Sequence, residues 1–142
     1  MILQLLATLC AAVFAGAAIY INIVEHPARM SLGPATALAE WRPAYRRGAL
    51  MQAPLAIVGL LAGVAAWATG GDIAWLFGGV LLGAVVPFTL VVTAPTNKQL
   101  MDPATDRDPV RARALLDRWN RLHAVRSTLS LAALVIFLTL LG

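Results

Sequence analysis

Charged residues are scarce in this sequence. Only 13% of its 142 residues are Asp, Glu, Lys or Arg, whereas about 25% is typical of a soluble domain. Hydrophobic residues make up 60% and form long runs without charge. A helix needs roughly 20 apolar residues to cross the hydrocarbon core of a bilayer. We therefore predict one all-α membrane domain over residues 1–142, a four-helix transmembrane bundle with helices at about 1–24, 48–70, 73–94 and 119–141 and polar loops at 25–47 and 95–118.

The first apolar run has no basic residue ahead of it, and cysteine occurs only once. A cleaved signal peptide usually begins with a basic region, so we predict that this run is retained as a membrane helix. Cys10 has no partner for an internal disulfide. Its simplest interpretation is a small apolar packing residue.

Basic residues are missing from the turn between the second and third predicted helices. All eleven Lys and Arg lie in the two longer polar segments or at the start of the fourth helix. The positive-inside rule then predicts that both segments are cytoplasmic and both termini non-cytoplasmic, with the bacterial inner membrane as the expected location. No basic stretch lies away from the membrane, so nucleic acid is not expected as a partner, whereas contact with the lipid bilayer is.

The chain reads as two similar halves. In each half, a helix ends at a proline-marked exit, and an amphipathic polar segment leads into a returning helix. Residues four apart share a helix face, and each polar segment contains one such aromatic pair. The matching features are the exits at Pro27 and Pro95 and the pairs Trp41-x-x-x-Tyr45 and Trp119-x-x-x-His123. This pattern favours two repeated helical hairpins.

Small residues and one proline predict how the helices pack. Gly59 and Gly63 are four apart, as are Gly79 and Gly83, and small residues let membrane helices approach closely. Pro87 in the middle of the third helix is expected to kink it.

Polar residues in the helices gather towards the two charged segments. They recur at spacings of three, four or seven, so each series lies on one helix face. The series are Asn22, Glu25 and His26; Tyr45 and Gln52; Thr89, Thr93 and Asn97; and Trp119, His123, Ser127 and Ser130. Because polar groups in a membrane usually face a partner or a cavity, we predict one polar pocket near the cytoplasmic interface.

The charged and histidine side chains leave several interpretations open. His26 and His123 could ligate haem or a metal ion, one of them could act as a general base, or both could simply bond to loop backbone. Glu25, Arg29 and Arg126 could form interfacial ion pairs of little energetic value. In a drier pocket, the same residues could stabilise an oxyanion.

Several motifs together resemble the anthrone oxygenase-like family of small four-helix membrane proteins. The resemblance covers nearly the whole chain. It rests on Asn22-x-x-Glu25-His26-Pro27-Ala28-Arg29-Met30, Trp41-x-Pro43-x-Tyr45-x-Arg47-Gly48, Pro87-Phe88-Thr89, Pro95-Thr96-Asn97-Lys98-x-Leu100 and Trp119-x-x-x-His123-x-x-Arg126-Ser127.

The resemblance implies oxidation of a lipophilic anthrone-like substrate by O2, without a cofactor. Under this hypothesis His123 is the base, Asn97 and Arg126 stabilise the enolate oxygen, and Glu25 completes the catalytic set. Substrate contacts are assigned to His26, Tyr45, Trp119, Arg29, Gln52 and Thr93.

Other classes of function remain open. The chain could hold haem, a metal ion or a quinone between His26 and His123 without oxygenase activity. It could also be an accessory membrane protein whose polar motifs serve assembly. A transporter is less favoured, because four short helices make a small pathway, although a homo-oligomer could supply a larger one. The sequence does not give the oligomeric state.

Overall fold

The structure is a computed structural model that describes residues 1–142. It is all-helical, and four helices are long and apolar enough to cross a membrane, as the sequence predicts. The protein is therefore a multi-pass integral membrane protein. These helices are α1 Ile2–Met30, α2 Pro34–Ala68, α3 Ala74–Met101 and α4 Pro109–Leu141. A short 3-10 helix, Pro103–Arg107, lies between α3 and α4.

Turn residues set where the helices begin. Gly33 has a φ of 89°, which suits glycine, and Pro34 starts α2 with a backbone angle already suited to a helix. Pro109 starts α4 in the same way. The Asp108 side chain caps α4 by accepting a hydrogen bond of 3.0 Å from the Arg111 backbone N–H.

The helices are longer than predicted. Segments 25–47 and 95–118 were expected to be polar loops. Within these two segments, only 31–33 and the stretch around the 3-10 helix lie outside the four long helices. The physical reason is that these segments are amphipathic. Their apolar side chains, including Leu38, Trp41 and Leu116, form a second hydrophobic cluster of eight buried residues. Uncharged runs mark the part of a helix that lipid can surround, whereas packing extends the helix beyond it.

Both α1 and α3 contain one π-helical turn just ahead of a proline. Ile21–Glu25 precedes Pro27, and Thr89–Thr93 precedes Pro95. Proline lacks an N–H, and its ring crowds the carbonyl four residues earlier, so a widened turn relieves the clash. The same irregularity at the same place in both halves supports the interpretation as two repeated hairpins.

The helices form a square bundle in which α1 and α3 each pack against α2 and α4. Glycines make the contact between α2 and α3 close, as predicted. A Cβ added to Gly63 would lie 2.7 Å from the Trp75 carbonyl oxygen, and one added to Gly79 would lie 3.1 Å from the Leu60 carbonyl oxygen. A main hydrophobic cluster of 13 buried residues fills the bundle interior. Large apolar side chains such as Leu61 and Val91 remain exposed on the outside, where lipid would cover them.

The predicted disturbance at Pro87 is an interruption of α3. The α-helix stops at Gly83 and resumes at Val85, with Ala84 between them in a turn. Proline cannot donate a hydrogen bond to the carbonyl of residue 83, which explains the position of the break.

Candidate active site

A cavity with a volume of about 370 Å³ lies between α1, α2 and α4. It is nearer the end of the bundle that carries the 31–33 turn and the Pro103–Arg107 helix, which we call the polar end. Most of the predicted site residues line it. They are Glu25 and Arg29 from α1, Tyr45 and Gln52 from α2, and Trp119, His123 and Arg126 from α4. Polar faces of three helices therefore meet in one cavity, whereas α3 contributes nothing to its lining.

His123 is the most isolated polar group of this cavity. Its side chain is buried, with 2% exposure. The Ala18 backbone carbonyl lies beside the ring, and neither ring nitrogen has a side-chain partner. The imidazole stacks on Trp119 at a centroid distance of 4.8 Å, because the two residues are one helical turn apart on α4. Buried polar atoms are almost always paired in proteins. An unpaired imidazole that lines a cavity is therefore free to bond to whatever enters it.

Arg126 is a buried cation without a carboxylate partner. It is 8% exposed, and its Nη2 donates a hydrogen bond of 2.9 Å to the Gln52 side-chain oxygen. Its guanidinium carbon lies 5.5 Å from the centroid of the Phe14 ring. A neutral amide and an aromatic face compensate a buried charge only partly. An anion formed in the cavity would therefore be stabilised by Arg126.

Arg29, in contrast, has two carboxylate partners. It bonds to Glu25 one turn earlier on α1 and lies 2.5 Å from the Glu40 carboxylate of α2. Glu40 also lines the cavity and was missed by the sequence analysis. It could have been found as the lone acidic residue between Glu25 and Asp72. This group closes one side of the cavity with one cation and two carboxylates.

Asn97 and Thr93 do not line the cavity. The Asn97 amide instead donates a hydrogen bond of 2.9 Å to the Tyr45 hydroxyl, and Tyr45 lines the cavity. Tyr45 also stacks on Trp41 at 4.9 Å. The expected contact of Asn97 with the substrate oxygen is therefore not supported by its position. Asn97 instead holds the Tyr45 hydroxyl from α3, a helix that contributes no residue to the cavity lining.

His26 also lies outside the cavity. Its Nε2 is 3.9 Å from the Asp117 carboxylate, and its ring centroid is 6.3 Å from that of Trp119. The consecutive residues Glu25 and His26 thus face different partners, as adjacent helix positions must. A haem, metal ion or quinone held between His26 and His123 would need both imidazoles at one opening. Only His123 meets that condition, and no three His, Cys, Asp or Glu side chains cluster as metal ligands.

Hydrogen bonds beside the cavity hold α1 against α4. The Asn22 amide donates to the Asn120 side-chain oxygen at 2.7 Å, and the Ser127 hydroxyl donates to the Asn22 side-chain oxygen at 2.6 Å. These bonds fix the rotation of α4 about its axis. Because His123 and Arg126 are on the same helix, their orientation towards the cavity is fixed as well.

The sequence model of the family described as anthrone oxygenase matches residues 41–136, more than half of the chain. This chain belongs to that family. No curated protein and no solved structure matches it. The matched region includes His123, Arg126, Tyr45 and Gln52, whereas α1 lies before it. Membership of the anthrone oxygenase family supports a membrane oxygenase-like function at the level of the family.

Proposed function

We propose that the protein oxidises a lipophilic, anthrone-like aromatic substrate with O2 in the cavity at the polar end. The observation that carries this proposal is that two side chains without a full set of partners, His123 and Arg126, line the same cavity. His123 has no side-chain partner at either ring nitrogen, and Arg126 has no carboxylate partner. The first can take a proton and the second can stabilise the negative charge that the proton leaves behind.

The chemistry follows from the substrate. The CH2 group between the two aromatic rings of an anthrone is acidic for carbon, and His123 removes one of its protons to give an enolate. The enolate carbon then forms a bond to O2, and protonation gives a hydroperoxide. Loss of the second C–H proton, with cleavage of the O–O bond, forms the new carbonyl and releases water. Overall, anthrone and O2 become anthraquinone and water, so the reaction balances without a cofactor.

We assign roles to the other residues from their positions around the cavity. Arg126, oriented by Gln52, stabilises the enolate oxygen. Trp119 and Tyr45 provide aromatic walls for the flat substrate, and Asn97 positions Tyr45 from outside the cavity. The Arg29 group with its two carboxylates forms the rim. The cavity volume of about 370 Å³ lies within the usual range of small-molecule sites.

We also propose that the polar end faces the cytoplasm of a bacterial inner membrane. The distribution of Lys and Arg supports this orientation through the positive-inside rule. A lipophilic substrate could then reach the cavity from the bilayer, while the charged rim meets the aqueous phase.

The test is replacement of His123 by Gln or Ala. General-base catalysis typically contributes about 10²–10⁴-fold in rate, so both variants should lose most anthrone oxidation above the spontaneous background. Anaerobic exchange of the CH2 protons in D2O isolates proton removal from the O2 step and should be lost as well. His26→Gln is the matched control, because the second histidine lies outside the cavity.

Full oxidase activity in the His123→Ala protein would refute the proposal. Lowered thermal stability with unchanged turnover per folded protein would instead favour the accessory interpretation, in which the polar residues serve assembly.

A further inference from the structure

A second, smaller recess lies directly beside the proposed active site. Its volume is about 150 Å³, and it is enclosed by parts of all four helices. Tyr45, Ala49 and Arg126 line both spaces, so the recess and the larger cavity share a wall. The remaining lining comes from Phe14, Ala53, Val85, Val86, Thr89 and Leu90.

The irregular backbone of α3 produces this recess. Val85 and Val86 follow the interruption at Ala84, and Thr89 and Leu90 begin the π-helical turn. Opposite them, α2 presents the small side chains of Ala49 and Ala53 next to Tyr45. The gap is therefore the space that the break near Pro87 opens between α2 and α3.

The recess is apolar where it does not meet the active site. Seven of its nine lining residues are hydrophobic. The Thr89 hydroxyl donates a hydrogen bond of 2.7 Å to the Val85 carbonyl, and the Tyr45 hydroxyl accepts one from Asn97. Both hydroxyl groups thus already have a partner. The Arg126 guanidinium at the shared wall is the main group left for water, and the rest of the recess is apolar. An apolar protein cavity of similar size, roughly 150 Å³, stays dry and takes up benzene or xenon.

The outer end of the recess faces the lipid. Leu90 is 70% exposed on the outside of the bundle, and Ala53 is exposed as well. A space that holds one aromatic ring is too small for a three-ring substrate, but it is large enough for a diatomic gas. Dioxygen is apolar and dissolves more readily in hydrocarbon than in water, so it would enter from the bilayer.

We propose that this recess is the dioxygen site and the route by which O2 reaches the enolate in the adjoining cavity. The inference rests on the proposed oxygenase function and adds a second, separate entrance. The organic substrate and O2 approach the reacting carbon from different sides. Tyr45, Ala49 and Arg126 line both spaces, so they mark where O2 would pass from the recess into the cavity.

Ala53→Leu tests the proposal, because a leucine there fills the recess without touching the larger cavity. With anthrone as substrate, we expect roughly a tenfold loss of kcat/KM for O2, with anaerobic C–H exchange in D2O unchanged. Ala132→Leu, which adds the same side chain to an exposed position on α4, should leave both rates unchanged. A xenon-pressurised crystal should show xenon between Ala53 and Val86 in the wild type and none in Ala53→Leu.

The outcomes separate the two proposals. If no form of the protein catalyses anaerobic exchange, the proposed function fails. If exchange occurs but Ala53→Leu keeps the wild-type kcat/KM for O2, the dioxygen site is wrong. Lipid acyl density in the wild-type recess with xenon excluded would overturn it too.

Discussion

Two buried arginines in this protein have opposite electrostatic situations. Arg29 is held by the carboxylates of Glu25 and Glu40, whereas Arg126 has only the neutral amide of Gln52 and the ring of Phe14. Removing one partner of a buried ion pair leaves an uncompensated charge. Removing a buried charge that has no ion-pair partner instead takes an uncompensated charge away. The two residues are therefore expected to respond differently to the same substitution.

Arg29→Gln should lower the free energy of unfolding by about 2 kcal/mol, since two partly exposed carboxylates lose their cation. Arg126→Gln should keep or raise stability but reduce kcat by about 10²–10³, the usual effect of losing an oxyanion-stabilising donor. Thermal melting in detergent and anthrone turnover measured on both variants check this. A large loss of stability in Arg126→Gln, with turnover unchanged per folded protein, would contradict the assigned role.

At the scale of elements, close helix contact depends on where glycine lies and not on glycine as such. Gly63 meets the backbone of α3, whereas a Cβ at Gly16 in α1 would have no neighbour within 4 Å. Alanine also has the higher helix propensity. The same chemical change is therefore expected to have opposite effects at these two positions.

Gly63→Ala should destabilise the bundle by about 1–3 kcal/mol, because the new Cβ would press on the Trp75 carbonyl and α2 and α3 would have to separate. Gly16→Ala should be neutral or slightly stabilising. Melting temperatures of the two proteins in the same detergent provide the measurement. Equal melting temperatures would show that the α2–α3 contact is looser than described.

For the whole molecule, the open question is which side of the membrane holds the active site. The 31–33 turn and the Pro103–Arg107 helix lie at one end of the bundle, and the turn around Thr69 lies at the other. Positively charged segments are retained in the cytoplasm. The polar end should then be inaccessible from outside the cell.

Cysteine labelling checks this orientation in a Cys10→Ala background. In intact cells, a membrane-impermeant maleimide should label Thr69→Cys but not Ser31→Cys or Ala104→Cys, all of which replace exposed residues. Permeabilised cells serve as the control, where all three should react. Labelling of Ser31→Cys or Ala104→Cys in intact cells would reverse the proposed topology.

Much of the fold could be predicted because the signals are local. Uncharged runs mark the membrane helices, and spacings of three and four place residues on one face whatever that face contacts. This is why Glu25, Tyr45, Gln52 and His123 could be predicted to share a pocket, whereas the role of Arg126 came from the family resemblance. Helix ends were less predictable, since amphipathic packing at the polar end extends the helices beyond the uncharged runs.

The sequence by itself determined the four membrane helices, the polar character of one end and seven of the sixteen residues around the cavity. The tertiary structure decided which side chains on neighbouring helices contact each other. It paired Arg29 with Glu40 and His26 with Asp117, and it placed Asn97 behind Tyr45. Periodicity fixes a residue's face on its own helix. The rotation and spacing of neighbouring helices, set by glycine contacts and the breaks at prolines, decide what that face meets.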